Sequence, residues 1–417
     1  MQFRFSIYFI SLFSFSTISF SQILTPDTSK KKEQSIEFAG DFFISSNAIS
    51  NTFIKEFYNG NFLTEELKLD VSEKLISKNR LGGAFKSGLT YSYHSLEGKN
   101  KPIVSFSFFD RHHLNMSFSD DLFDLVFFGN KIFAGDTAKV GNFRFNNLHY
   151  EQLRFGWKWG GDFSHGSYGF AFSLLSGDQN QYIDGNSSGL FTSANGSYLA
   201  FPLTMSVYQT DTAQTKYFSQ TGMGMSVDLF YEMPYVVWNK PGRITFAAND
   251  LGFIGWNNNS LHYEVDSFYY FSGIEVEDLV HLDTNALAPS NTENIINRNA
   301  DISKEKYSTR IPCTIDIHTR SYYGNQISFE KGIILMLNTS AKPYYFAKLH
   351  FLLGRKKVFD LSYTFGYGGY GKFNAGIEAK VEFAKSYSIH IVDNYLFSGI
   401  SRESYGMGLS VKLTKKF

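Results

Sequence analysis

The chain has 417 residues, and 18% of them are aromatic: 44 Phe, 26 Tyr and 4 Trp. Lys plus Arg and Asp plus Glu are equal at 39 each, so no bulk charge favours a nucleic-acid partner. The single cysteine, Cys313, excludes a disulfide framework and a cysteine zinc site, and 8 prolines with 19% charged residues exclude disorder and a coiled coil.

The N-terminus has the pattern of a secretory leader. Arg4 precedes an apolar stretch rich in Phe and Ile, and the small residues Ser19 and Ser21 mark a cleavage site. An N-terminal membrane anchor is the alternative, but serines interrupt the apolar run and a Lys-rich stretch follows. We therefore predict a signal peptide over residues 1–21 and a linker over residues 22–40. Beyond the leader, no apolar run reaches the roughly 18 residues that a membrane-spanning helix requires.

The segment 41–80 differs in kind from the rest of the chain. Its apolar residues recur at spacings of three and four among Glu and Lys, which predicts one or two amphipathic helices. Because these helices precede the domain that follows, we predict that they fill its interior as a plug. The candidate plug residues are Phe53, Phe57, Leu67 and Leu75.

A further short helix is predicted over residues 120–128. Ser119 and the two following aspartates can cap its start, and Gly129 can end it. The helix is too apolar for an exposed loop, which predicts packing inside the domain or against its rim.

From Leu81 onward the chain alternates between apolar and polar residues. In Phe373–Phe383 every odd position is apolar, whereas the intervening positions are polar or small. One face of such a strand meets an apolar medium and the other meets water. The pattern predicts fifteen strands, at 83–95, 103–118, 147–159, 163–176, 197–209, 217–238, 242–256, 263–272, 309–321, 326–337, 343–353, 357–366, 371–384, 386–396 and 404–414.

The apolar medium is predicted to be lipid. The strands are about 10 to 13 residues long, which at a tilt of about 45° crosses a band of about 25 Å, whereas a soluble sandwich has shorter strands. Rings cluster near strand ends, at Trp157, Trp159, Tyr235 and Trp238, as in an interfacial girdle. A closed barrel also removes the free edges that would aggregate. We predict an all-β fold, a transmembrane antiparallel β-barrel of about 14 strands over residues 81–417.

Single-chain bacterial barrels have even strand numbers, so fifteen strands require that one is wrongly assigned or that one before residue 83 is missing. If the last strand descends to the periplasm, the long connection at about 273–308 is extracellular. The connections 354–357 and 384–386 are then short periplasmic turns.

The C-terminus carries an assembly pattern. Leu409, Val411 and Leu413 share one phase with the final residue, Phe417, although Lys415 interrupts it. A terminal aromatic after alternating apolar residues resembles the strand that the barrel-assembly machinery of Gram-negative outer membranes recognises. The predicted location is therefore the outer membrane.

Several segments together resemble a known family. They are the leader, the helical segment, Ser119–Leu122 leading to Gly129 and Asn130, the segments Asn249–Trp256 and Phe271–Ile274, and the final strand with its terminal Phe. The combination resembles an uncharacterised family of Bacteroidota outer-membrane proteins, similar in outline to the long-chain fatty-acid transporter type of barrel. The resemblance implies a 14-stranded barrel with a lumenal N-terminal plug, and it implies no established activity.

No catalytic, cofactor or metal site is predicted. The chain has ten His and many Ser, but isolated residue types are weak evidence for a hydrolase site. His112 and His113 are neighbours on a strand, so they point to opposite faces and cannot easily share an ion. Cys313 is predicted to be inert. The candidate lumen-facing residues are Lys372, Glu378, Lys380 and Glu382, which either line a polar path or pair with neighbouring strands.

The leading functional hypothesis is a plugged channel that moves a small apolar or amphipathic molecule across the outer membrane. The alternative is a non-transporting barrel that acts as a scaffold in protein secretion or surface assembly, and an enzyme is not predicted. The expected partners are outer-membrane lipid, the barrel-assembly machinery and a hydrophobic small molecule.

Overall fold

Long antiparallel strands dominate the structure. The computed structural model describes residues 32–95, 101–160, 166–187, 189–211, 220–237, 240–272, 301–353, 359–383, 386–396 and 404–417. The strands in these residues are β1 Lys32–Ser46, β2 Asn79–Ser95, β3 Ile103–Phe118, β4 Thr137–Ala138, β5 Gly141–Trp159, β6 Ser167–Ser187, β7 Leu190–Thr192, β8 Leu199–Gln209, β9 Gly222–Val237, β10 Lys240–Trp256, β11 Leu261–Phe271, β12 Asp301–Lys304, β13 Ser308–Arg310, β14 Cys313–Tyr323, β15 Ile327–Leu337, β16 Lys342–Leu353, β17 Phe359–Gly369, β18 Phe373–Phe383, β19 Tyr387–Asp393 and β20 Gly406–Lys416. The helices are α1 Asn51–Tyr58, α2 Glu65–Ser72, α3 Asp120–Phe128 and a short 3-10 helix, Asn130–Phe133.

Fourteen of the strands close into one antiparallel barrel. Around the wall they run in the order β1, β2, β3, β5, β6, β9, β10, β14, β15, β16, β17, β18, β19 and β20. The ring closes where β20 pairs with β1, from Ser35 opposite Lys416 to Ser45 opposite Gly406. The even number and the closed ring confirm the predicted fold, because every wall strand finds a partner on both sides.

The barrel begins earlier than the sequence predicted. Residues 32–46 form β1, so assigning residues 32–40 to a linker and 41–46 to a helical plug is wrong, and the barrel starts before residue 81. Ile36 and Phe38 lie on the outer face, whereas Glu37 lines the interior, which is the alternation of a wall strand. The signal peptide and residues 22–31 lie outside the described residues.

Two predicted strands lie outside the ring. β8 and β11 pair with each other, and β8 also pairs with the upper part of β6 over residues 181–186. Together with β12, which pairs with β11, they extend the sheet beyond the wall. Removing these two strands from the predicted fifteen and adding β1 gives the observed fourteen.

Large apolar side chains cover the outer face of the wall. Each lies in the phase opposite to the lumenal residues, and exposed examples are Ile36, Phe38, Leu89, Phe106, Phe170, Leu174, Met225, Leu229, Phe246, Tyr345, Phe365 and Leu413. Trp157 stacks on Phe170 and Trp159 on Tyr168 near one end of the band. Such a band with interfacial rings matches a lipid-facing surface.

The two ends of the barrel differ. At one end, which we call the termini end, lie Lys32, Lys416 and the turn 324–326, and at most seven residues separate successive wall strands there. At the other, which we call the loop end, lie the long connections 47–78 and 119–140 together with the short turns 338–341 and 370–372. Long loops on one side and tight turns on the other are typical of outer-membrane barrels. Most of the predicted long connection 273–308 lies outside the described residues.

The helices form a cluster at the loop end. α3 begins and ends as predicted: the Ser119 hydroxyl accepts from the backbone N–H of Leu122, and Gly129 follows its last residue. α1 and α2 connect β1 to β2, so the prediction that they precede the barrel is wrong. None of the described helices is long and apolar enough to cross a bilayer.

Apolar packing and one partly buried carboxyl hold this helix cluster together. Phe53 of α1 contacts Phe123 and Phe127 of α3, with ring centroids 5.5 and 5.1 Å apart. The Ser72 hydroxyl of α2 donates to Asp124 of α3 at 2.6 Å. Burial raises the pKa of the Asp124 carboxyl, and the hydrogen bond from Ser72 opposes that rise.

The helix cluster packs on the ends of β2, β3 and β5. It contacts Leu81, Met116 and Phe118. Leu81 pairs with Met116, and the same register without a shift pairs Tyr91 with Phe106. The rings of Tyr91 and Phe106 are exposed on the outer face, and an even number of residues separates them from Leu81 and Met116 on each strand. The strand residues that the helices contact therefore belong to the outward phase.

Candidate functional site in the barrel lumen

Charged side chains of both signs line the lumen. A cavity of about 280 Å³ occupies the part nearer the termini end, where Glu37, Ser92 and Thr414 border it. Its other lining residues include Asp41, Lys86, Arg111, Gln152, Arg154, Asp228, Asp250, Arg320, Glu330, Lys348, Glu378 and Lys412. Phe109 contributes a ring, over which the Lys86 ammonium lies 3.8 Å from the centroid. Neither α1 nor α2 contributes to this lining.

An ion pair with an amide partner closes the inner end of the cavity. Arg111 of β3 donates to Asp250 of β10 at 2.8 Å, and also to the Gln152 side chain of β5 at 2.8 Å. The Gln152 amide donates in turn to Asp250 at 2.9 Å. Asp250 is 5% exposed and Arg111 6%, so each charge depends on the other for compensation.

A local irregularity of β10 directs Asp250 into this network. The register between β10 and β9 shifts between Ala248 and Leu251, and Asp250 adopts a φ of 61°. Asp is one of the few non-glycine residues that adopt this left-handed conformation at modest cost. The backbone N–H of Asp250 donates to the carboxylate of Asp228 at 2.6 Å, which fixes the bulge from the neighbouring strand.

An apolar cluster fills the lumen beyond Asp250, towards the loop end. We call it the lumenal apolar cluster, and it consists of Leu148, Tyr150, Leu175, Ile254, Trp256 and Ile311. The Trp256 ring lies directly over Gly177 and Gly222, where an added Cβ would come within 2.6 Å of it. These two glycines allow the ring to lie against the backbone of the wall.

Turns at the loop end reach across the barrel mouth. The Tyr370 hydroxyl, from the turn between β17 and β18, donates to the Asn115 side chain of β3 at 3.0 Å. The backbone N–H of Ser340 donates to the same Asn115 oxygen at 2.6 Å. Arg80 donates to the carbonyls of Gly369 and Gly371 at 2.9 Å. Hydrogen bonds therefore link separate parts of the wall across the loop end of the lumen.

A chain of ion pairs follows the opposite wall. Lys348 pairs with Glu378, and His390 contacts the same carboxylate at 2.6 Å. His350 lies 3.1 Å from Glu330 and 2.8 Å from the Ser362 hydroxyl. These pairs compensate the charges that face the cavity.

The four predicted lumen residues lie in three different settings. Glu378 and Lys380 line the cavity. Lys372 lies in the turn at the loop end, 5.7 Å from the ring of Tyr405. Glu382 is near the termini end and pairs with Lys380 at 3.3 Å, with 47% of its side chain exposed. The structure thus brings Glu378 and Lys380 together and separates them from Lys372.

The predicted plug and assembly residues lie away from the cavity. Phe53 is buried in the helix cluster, Leu67 and Leu75 pack against it, and Phe57 is 59% exposed while contacting Phe53 and Phe127. The three predicted assembly residues of β20 pair with β1: Leu409 lies opposite Phe42, Val411 opposite Gly40 and Leu413 opposite Phe38.

Phe417 ends the chain beside β1, where its backbone N–H donates to Gln34 at 2.9 Å. Cys313 is buried, with the Asn338 amide 3.9 Å from its sulfur.

His112 and His113 point to opposite faces, as predicted. His112 stacks on His149 with ring centroids 3.8 Å apart, whereas His113 lies 6.0 Å from the ring of Tyr150 on the lumenal side. The sequence prediction did not pair His112 with a residue of another strand, because strand register is required to find one.

A closed fourteen-stranded barrel with an apolar outer band and a charged lumen defines the class of this protein as a transmembrane β-barrel of the outer-membrane type. Residues 37–388 match the family described as "Family of unknown function (DUF5723)", and the chain belongs to that family. The predicted membership of an uncharacterised barrel family is thereby confirmed, while its restriction to the Bacteroidota stays a prediction.

Solved barrels resemble the chain at low sequence identity. The toluene transporter TodX of P. putida is 8% identical, with 94% of this chain and 91% of that chain covered and a TM-score of 0.42. A Pseudomonas aeruginosa FadL homologue is 10% identical, with 93% and 90% covered and a TM-score of 0.38. The translocator domain of the autotransporter NalP from Neisseria meningitidis is 9% identical, with 94% and 90% covered and a TM-score of 0.32. No curated protein matches the chain.

Proposed function

We propose that the protein is a gated outer-membrane channel that moves a small amphipathic molecule. The observation that supports this most is the lumenal cavity, which is lined by charges of both signs together with Phe109 and Ile103. A molecule with one charged group and a short apolar part would find partners for both parts there. We place the termini end in the periplasm, because its turns are the short ones.

The charges in the lumen disfavour a purely apolar cargo. An apolar molecule would displace water from Lys348, Glu378 and Arg111 without offering hydrogen bonds, and desolvating charged groups is costly. Of the two cargo classes in the sequence-based hypothesis, we therefore retain the amphipathic one.

Flux through reconstituted protein tests this function. The full chain, folded in liposomes, is exposed to hexane-1-sulfonate and to hexyltrimethylammonium, whose permanent charges slow passage through lipid. We expect at least one of them to enter faster than in protein-free liposomes. Neutralising the cavity by Lys348→Gln with Glu378→Gln should change that rate, whereas Lys55→Gln in the exposed part of α1 should not. Entry of neither probe above the protein-free rate, with the barrel shown to be folded, would reject the channel.

A scaffold is the second candidate, and the hydrogen bonds across the loop end favour it. The lumenal apolar cluster is almost completely buried, and the turns above it cross the mouth. A barrel that never opens would serve its outer-membrane role through its loops. The liposome experiment separates the two candidates, because a scaffold should pass neither probe.

We further propose that the seal lies in the lumen and not in the helices. Replacing residues 50–76 by a short Gly-Ser linker should leave the β1–β2 pairing intact, and we expect planar-bilayer conductance to stay as low as in the intact chain. In contrast, Tyr370→Gly combined with Arg80→Ser removes contacts across the mouth and should raise conductance. A large conductance after the helix deletion would instead assign the seal to α1 and α2.

A further inference from the structure

A group of ionisable side chains lies on the outer side of the wall, at the edge of the apolar band. We call it the outer-wall cluster, and it comprises Asp110, His149, Glu151 and Asp178. Asp110 of β3 pairs with Glu151 of β5. The next pair on the same face, towards the termini end, is Phe108 with Leu153, which faces the lipid. The cluster thus begins where the lipid-facing band of these strands ends.

The members of the outer-wall cluster lie close together and are largely buried. The ligand atoms of His149, Glu151 and Asp178 all lie within 4.8 Å of one another. Glu151 and Asp178 are buried, and 12% of the His149 side chain is exposed. The Nδ1 atom of His149 is 3.7 Å from the Asp178 carboxylate. One imidazole and two carboxylates therefore converge on a single point beside β5 and β6.

A bulge brings Asp178 into this position. β5 pairs Tyr150 with Gly177 but His149 with Gln179, so Asp178 is the extra residue of β6. A bulged residue points differently from its neighbours in the regular alternation. Asp178 and Gln179 therefore both lie opposite His149, and the Asp178 carboxylate lies on the same side of the wall as the imidazole.

Asp110 orients the imidazole. The Nε2 atom of His149 lies 2.7 Å from the Asp110 carboxylate. An imidazole that donates its Nε2 proton to a carboxylate presents the lone pair of Nδ1 to the other side, and this arrangement recurs in metal sites. The lone pair then faces Asp178 and Glu151. His112 stacks on the ring at 3.8 Å and restricts its rotation.

We propose that His149, Glu151 and Asp178 bind a divalent metal ion of the Zn²⁺ or Mn²⁺ type, with Asp110 as the positioning residue of His149. A mixed imidazole and carboxylate set suits these ions. Ligand atoms about 2.1 Å from one ion are at most about 4.2 Å apart, so small side-chain rotations bring the present atoms into range.

The ion would link strands where the wall branches. β6 pairs with β9 up to Gly177 opposite Gly222, and with β8 from Gln181 opposite Gln209. Asp178 lies between these two pairings. A metal bound to β5 and β6 at this point would stabilise the change of partner, and Asp110 would include β3 in the same unit.

Metal analysis of the folded full chain tests the site. After dialysis against Zn²⁺ and then against metal-free buffer, we expect one ion per chain. Glu151→Gln and Asp178→Asn should abolish retention, and Asp110→Asn should weaken Zn²⁺ affinity about 10- to 100-fold. Asp184→Asn is the matched control, since Asp184 lies on the same strand but pairs with Arg144 at 3.3 Å. That control should retain the ion.

X-ray absorption spectroscopy identifies the ligands of Zn²⁺ bound to the unmodified chain. This measurement tests the site even if a variant fails to fold. We expect one imidazole with oxygen ligands around the ion. Failure of the folded, unmodified chain to retain Zn²⁺ or Mn²⁺, a shell of several imidazoles, or equal loss of the ion in Asp184→Asn would overturn the site. None of these results depends on whether the barrel transports a molecule.

Discussion

Replacing Asp250 by Asn is expected to destabilise the barrel by about 3 to 5 kcal/mol. The substitution keeps the shape of the side chain and tolerates the φ of 61° at this position, so the charge is the main change. It leaves the buried guanidinium of Arg111 without its carboxylate, and an uncompensated buried charge has a cost of that order. Urea unfolding of the detergent-solubilised or liposome-inserted protein, followed by heat-modifiable gel migration, measures the loss.

Two controls separate charge from packing at Asp250. Adding Arg111→Met to Asp250→Asn removes both charges, and we expect much of the lost stability to return. Asp184→Asn makes the same chemical change in the exposed pair with Arg144, whose side chains are 37% and 54% exposed, and should cost less than about 1 kcal/mol. If the single variants at 250 and 184 lose similar stability, the lumenal network does not hold the strands together.

The alternation of apolar and polar residues predicted most of the wall, and its two failures have physical causes. β1 was missed because Phe42, Phe43 and Ile44 are consecutive apolar residues that conceal a period of two and continue into a helical spacing. β8 and β11 were placed in the ring because alternation reports a two-faced strand and not its neighbours. Strand pairing decides that question, and it is a long-range property.

The lumenal site could be predicted only in part. The phase of β18 placed Glu378 and Lys380 on the polar face, and both line the cavity. Asp250 lies in the segment on which the family resemblance rests most, yet its partner Arg111 is 139 residues away in sequence. No local spacing connects the two residues, because the closed ring brings β3 and β10 together across the lumen.

Substituting Arg for Val411 should prevent the last strand from inserting. Val411 lies near the middle of β20, between the exposed side chains of Leu409 and Leu413 on the outer face. A cation facing lipid at the midplane costs about 2 to 4 kcal/mol. Because β20 pairs with β1 to close the ring, a strand that does not insert leaves the barrel open. The measurement is the heat-modifiable fraction after folding into liposomes and after expression in cells.

The matched control places the same cation on the other face of β20. Thr414 lines the cavity, and its hydroxyl lies 3.3 Å from Glu37, so Thr414→Arg meets water and a carboxylate and should assemble far better. Deleting Phe417 separates lipid insertion from recognition by the assembly machinery: we expect folding into liposomes to continue while assembly in cells falls. Val411→Arg should fail in both settings, because its cost arises from the lipid. Equal damage from Val411→Arg and Thr414→Arg would mean that the two faces of the strand do not meet different solvents.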